Sequence, residues 1–140
     1  MVLDGPDADA FVTAAKQAEG AVGPQTMLTD AIAAALRAGR DRVAAGRGVR
    51  AVLSTMCKAR KATPCPFEVS GADWPADHML GEQVFGRPDL IVRARHAAEM
   101  QEIARSLQGQ LSCTLLLDEA DMDLARALMP VRERKAGRVE

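Results

Sequence analysis

Aromatic side chains are nearly missing from this chain: 3% of its 140 residues, namely three Phe, one Trp and no Tyr. A core must therefore be assembled from Ala, Leu, Val, Ile and Met. An excess of one charge is missing too, with 18 Lys and Arg against 19 Asp and Glu. That balance excludes the basic field expected of a nucleic-acid or acidic-membrane binder. The local runs Lys58-Ala59-Arg60-Lys61 and Arg132-Glu133-Arg134-Lys135 read as solvated surface. No apolar stretch approaches the length that spans a bilayer, and the N-terminus shows no basic region followed by an apolar run. The expected setting is the cytoplasm, with no membrane partner. Cysteine is sparse as well. Cys57, Cys65 and Cys113 form no C-x-x-C pair, which argues against a disulfide framework and against a zinc site.

The usual signatures of a self-contained active site are also wanting. There is no G-x-S-x-G elbow, no G-x-G-x-x-G after a strand and no phosphate-binding P-loop. A reactive thiol needs a cation, a base or a helix N-terminus beside it. Cys113 falls inside an apolar run and reads as a small hydrophobe, Cys65 is wedged between Pro64 and Pro66, and Cys57 reads as a surface thiol beside Lys58. Of the two histidines, His96 suits a helix cap and His78 lies in a polar turn. Asp118, Glu119, Asp121 and Asp123 collect at a helix start, where the dipole favours them without a metal. The residues alone thus give an α/β domain with no catalytic or metal-binding constellation.

What is present is regular periodicity. Asp7 or Asp9 is placed to cap a helix carrying Phe11, Ala14, Ala15 and Ala18, broken from Gly20 to Pro24. A second helix is expected from about Leu28 to Ala45, with Ile32, Leu36 and Val43 inward and Gly46 and Gly48 ending it. Val49, Ala51 and Leu53 suggest a strand, residues 57–66 a loop, and Phe67 and Val69 a short alternating strand. Trp74 to Leu80 reads as a turn or single helical turn, with Trp74 covering the core or an interface. Leu90-Ile91-Val92 is an apolar strand. His96 then caps a helix, with Glu99 as capping-box carboxylate, bearing Met100, Ile103, Ala104 and Leu107, and Gly109 ends it. Leu111 to Leu117 has the unbroken apolar pattern of a strand buried on both faces. Asp118 caps a last helix, kinked or cut short by Pro130, and Gly137-Arg138-Val139 starts another strand. This order predicts a mostly parallel sheet with flanking helices, the early strands joining the same sheet.

The segment Glu82-Gln83-Val84-Phe85-Gly86, on a short connection before the Leu90 strand, carries a carboxylate, an amide and a ring where ligand-facing chemistry belongs. It resembles the E-E-[IV]-F-G-P signature of NAD(P)-dependent aldehyde dehydrogenases, with Gln83 at the second acid and Arg87 at the proline. The likeness extends through Met27 to Arg42, Phe67-Glu68-Val69-Ser70-Gly71-Ala72-Asp73, Leu107 to Leu115, Glu119-Ala120-Asp121 and Glu133 to Val139. These are most similar to the α-ketoglutarate semialdehyde (2,5-dioxovalerate) branch.

The resemblance implies a single incomplete catalytic-domain segment over residues 1–140, with the dinucleotide-binding domain absent. It implies NAD or NADP as cofactor, with Gln83 toward the nicotinamide ribose and Phe85 beside the nicotinamide. An amide keeps a hydrogen bond to a ribose hydroxyl but loses the charge-assisted component. None of the three cysteines matches the family nucleophile position, so an aldehyde dehydrogenase fragment inactive as an isolated chain is expected. The alternative is a non-catalytic module or remnant that pairs with full-length dehydrogenase subunits, as a homo- or hetero-oligomer, through open strand edges.

Overall fold

Helices and short strands follow one another along the chain much as the apolar spacings dictate, but the strands sort into three sheets. The computed structural model describes the chain except for residues 1, 4, 6, 7, 55, 77, 82, 83, 85–88 and 140, and gives only the backbone of residues 3, 76, 78, 79, 138 and 139. The largest sheet has the order β1 (Val2–Leu3), β7 (Leu90–Arg93), β6 (Phe67–Ser70), β3 (Arg50–Ala51). β7 runs parallel to both β1 and β6, and β3 is antiparallel to β6. A second, antiparallel sheet joins β2 (Gln25–Thr26), β5 (Lys61–Ala62) and β4 (Cys57–Lys58). A third is the parallel pair β8 (Gln110–Cys113) and β9 (Ala136–Val139). The α/β class and the parallel pairings match expectation. The merging of all strands into one sheet does not.

α1 spans Ala8–Gly20 and α2 Asp30–Ala44. On α1 the inward stripe is Ala8, Phe11, Val12 and Ala15, one position rotated from the expected face, so Ala14 and Ala18 stay exposed. Asp9 lies inside the first turn rather than capping it, and its carboxylate accepts from Arg93 Nη2 at 2.7 Å. Asp7 lies outside the described residues. α2 is capped by Thr29, whose Oγ1 accepts from the Ile32 N–H at 3.1 Å, and it buries Ala33, Leu36, Gly39 and Val43. Its end needs no glycine: Ala45 at the C-cap is right-handed, and Gly48 takes the positive φ, +70°, three residues on.

The stretch expected to be a loop at 57–66 contains the β4–β5 hairpin instead. Its two-residue connection, Ala59-Arg60, lacks the Gly or Asn that usually announces such a turn, and Ala59 carries φ +52°. Tertiary bonds hold it. The Arg60 guanidinium donates to the carbonyls of Met27 and Leu28 at 2.8 and 2.6 Å, and Arg37 donates to the Ala59 carbonyl.

β6 does not alternate. Phe67, Glu68 and Val69 are all buried, because the sheet has structure on both faces. Glu68 is 5% exposed, and its carboxylate lies 2.8 Å from Arg50 Nη2 and 3.7 Å from Arg93 Nε. The main core gathers Val43, Cys65, Phe67, Val69, Trp74, Leu80, Val92, Ala94 and Ile103. Trp74 is buried, in a 3-10 turn (Trp74–Ala76) of the kind expected there, followed by another (His78–Gly81).

α3 spans Ala97–Ser106, and His96 caps it: Nδ1 accepts from the Glu99 N–H at 3.2 Å. Glu99 reaches back one residue further than a capping box requires, accepting from the Arg95 N–H at 2.6 Å while Arg95 Nη2 donates to its other oxygen at 2.8 Å. The helix stops at Ser106 with Leu107 in an extended conformation, so Gly109 does not end it.

Two expectations fail in the last third. The run Leu111 to Leu117, expected as a strand buried on both faces, is strand (β8) only as far as Cys113, and Leu111 is 91% exposed and Leu116 86%. Among the described residues the strand is paired only with β9, so nothing there covers it. Cys113, correspondingly, is half-buried. Pro130 neither stops nor shortens α4, which runs Met122–Lys135 after a 3-10 turn at Glu119–Asp121. Pro130 is exposed while Ala125, Leu128 and Val131 are buried, so packing on the other side carries the helix past the one hydrogen bond that a proline cannot donate. At the acidic start of this segment the Asp118 N–H donates to Asp121 Oδ2 at 3.1 Å, and Asp118 stands at the N-cap of the 3-10 turn rather than of α4 itself.

Candidate functional site

The segment leading into β7 is held from two sides. At its N-terminal end Leu80 is buried in the core, and a Cβ on Gly81 would lie 3.7 Å from Trp74 Cη2. At its C-terminal end the Asp89 carbonyl accepts from the Phe67 N–H at 2.7 Å, fixing the start of the β6–β7 register. Between them Val84 is half-buried and packs against the main core. Gln83 and Phe85, the two candidate cofactor-facing residues, lie outside the described residues, as do Glu82 and Gly86. What the structure supplies is the seat of the residue between them.

That seat is α2. A Cβ built on Gly39 would fall on Val84 Cγ1, and would stand 3.1 Å from Cγ2 and 3.3 Å from Cβ. Gly39 shares its buried face with Leu36 and Val43. The sequence reading passed over it, although a lone glycine inside a helical pattern is a known sign of close packing.

The thiols are as unpromising as their sequence surroundings imply. Cys65 is buried, and that burial pushes its pKa up to about 11, against a smaller opposing pull from Arg40. A neutral, enclosed thiol is a poor nucleophile. Cys57 is half-buried at the edge of the β4–β5 hairpin. His96 is occupied as a helix cap. The described residues therefore bring no nucleophile and base together. The donor types in the signature still suit a nicotinamide nucleotide, with an amide for a ribose hydroxyl and a ring for the heterocycle.

No family model matches the chain. It is 41% identical, over 99% of its length, to alpha-ketoglutaric semialdehyde dehydrogenase 2 of Azospirillum brasilense. It spans 27% of that relative, so it corresponds to about a quarter of the curated proteins it matches. Among solved structures, an NAD-dependent benzaldehyde dehydrogenase from Corynebacterium glutamicum superposes with a TM-score of 0.78 at 17% identity, over 99% of this chain and 30% of that one. An NADP-dependent glyceraldehyde-3-phosphate dehydrogenase from Bacillus halodurans, complexed with NADP, gives 0.75 at 16% identity, over 99% and 29%. No described helix is long and apolar enough to cross a membrane. Sequence likeness along essentially the whole chain, joined to a shared fold, makes this chain a partial domain of the aldehyde dehydrogenase superfamily.

Proposed function

We propose that residues 1–140 form one catalytic-domain segment of a cytoplasmic aldehyde dehydrogenase that oxidises α-ketoglutarate semialdehyde to the acid. The dinucleotide domain has no counterpart within these residues. The observation that carries this reading is the 41% identity, over 99% of the chain, to an alpha-ketoglutaric semialdehyde dehydrogenase. NAD(P)+, when bound, accepts the hydride. The chain's own part would be to hold that group, with Gln83 hydrogen-bonding a ribose hydroxyl and Phe85 beside the nicotinamide. The buried, protonated Cys65 takes no part. With no activated thiol among these residues, the 140-residue chain by itself does not turn over aldehyde. Purified chain mixed with α-ketoglutarate semialdehyde and NAD+ or NADP+ is expected to form no NAD(P)H. Steady formation of NAD(P)H would overturn the assignment of inactivity.

A second reading is favoured by the exposure of Leu111 on a two-stranded parallel sheet and of Leu116 just beyond it. Parallel strands are ordinarily covered on both faces, and an open apolar edge invites pairing. In this reading the chain associates with aldehyde dehydrogenase subunits through β8 and β9. Sedimentation of the chain alone as a monomer, with no complex on adding a full-length aldehyde dehydrogenase, would count against it.

A further inference from the structure

We propose that the groove beside the β4–β5 hairpin is a docking site for the acidic segment around Glu119 of a second copy of this chain. The groove holds about 380 Å³ and is lined by Thr26, Met56 and the hairpin residues Lys58, Ala59, Arg60 and Lys61. Lys58 and Lys61 stand directly opposite each other in the hairpin register, so their side chains leave the same face. Like charges so placed repel, and among the described residues no carboxylate pairs with either lysine. Arg60 adds a third positive charge, its guanidinium held on the Met27 and Leu28 carbonyls and its stem along the groove. Met56 and Leu28 are exposed beside these cations. An uncompensated cationic rim around open apolar surface fits a partner that is both acidic and apolar.

The chain carries a surface of that kind. Leu116, Leu117 and Met122 are exposed, and Asp118, Glu119, Asp121 and Asp123 lie among and just beyond them. Among the described residues Glu119 has no cationic partner, and Asp123 pairs only with the exposed Arg126. This segment does not line the groove of its own molecule, so the pairing joins two copies. Each patch gathers like charges that repel within one molecule, and association relieves both at once. The two patches differ, so the contact is heterologous: one copy supplies the groove and its neighbour the segment.

Two variants at exposed positions separate the faces. Lys58→Glu with Lys61→Glu reverses the groove, and Glu119→Lys with Asp123→Lys neutralises the segment. Both should keep the parent's circular dichroism, since exposed charges contribute little to stability. In sedimentation the 140-residue parent is expected to associate as its concentration rises, about tenfold more weakly in about 500 mM salt than in about 50 mM. Each variant alone is expected to stay monomeric. Mixed in equal amounts, they are expected to form a complex of two chains that grows no further, because one working groove meets one working segment. Should either variant unfold, a free peptide of residues 115–124 is expected to dissociate the parent complex, and a complex that survives the peptide overturns the pairing. A parent that stays monomeric overturns it too, whatever else fills the groove. So does association that neither salt nor either pair of substitutions reduces, which would place the contact at the apolar β8–β9 edge instead. Folded variants that fail to associate when mixed likewise overturn it.

Discussion

The indole Nε1–H of Trp74 donates to Ser106 Oγ at 2.8 Å, and that hydroxyl in turn donates to the Ile103 carbonyl at 2.7 Å. The bond ties the turn after β6 to the last turn of α3, across the core that also receives Val84. Burying an indole is favourable here only because its one polar atom has found a partner.

Ser106→Ala should accordingly cost about 1–3 kcal/mol, the penalty for leaving a buried donor without an acceptor. Trp74 is the sole tryptophan, so its own fluorescence reports the unfolding transition in urea. An unchanged midpoint would show that the bond contributes nothing net.

Cys65 should be the slowest of the three thiols. In native chain at pH 8, a disulfide reagent is expected to titrate Cys57 and Cys113, both half-buried, and to reach Cys65 only after denaturant is added. Its folded pKa, about 11, is raised above the unfolded 9.0 by burial. The stability associated with the neutral thiol is thus complete below pH 9 and is lost as pH rises toward 11. Three equally fast thiols at pH 8 would contradict the enclosure.

Glu99 acts in the opposite direction. Hydrogen bonds from the Arg95 side chain, and then from the Arg95 N–H, lower its pKa from 4.5. The carboxylate's contribution is therefore present above pH 4.5 and is lost as pH falls below that value through the folded pKa. Urea midpoints measured from pH 6 downward should fall less steeply in Glu99→Gln than in the parent chain. Parallel curves would remove Glu99 from the acid response.

Leu111→Ser combined with Leu116→Ser should change the stability of the monomer by less than about 0.5 kcal/mol per site, since both side chains stand in water. By contrast Ile103→Ala, in the packed core, should cost about 2–5 kcal/mol. If the exposed strand is an association surface, the double variant should also lose any complex seen by sedimentation. A double variant that unfolds would mean that the strand is covered by its own chain.

Local chemistry was readable wherever it was self-sufficient. His96 stands at a helix start where a polar side chain meets a bare N–H group, Asp118 at the start of the turn before α4, and the apolar spacings of α2 and α3 repeat at the helical period. The β4–β5 hairpin was not readable, because Ala59-Arg60 is no turn signal and the turn is held by arginine bonds to Met27, Leu28 and Ala59. The candidate site divides in the same way. Glu82 to Gly86 stands out as a motif in the residues themselves, whereas nothing local marks Gly39 as its support, since the two lie more than forty residues apart.

The sequence by itself determined the helices, the α/β class and the resemblance to aldehyde dehydrogenases, all of which depend on local spacing or on residue identity. Only the tertiary structure decided which strands share a sheet, which apolar residues are covered and what lies beneath Val84. A run such as Leu111 to Leu117 has the same composition whether or not anything packs on it. Burial depends on what distant elements bring to a face, and among the described residues β8 is hydrogen-bonded only to β9 and leaves Leu111 exposed.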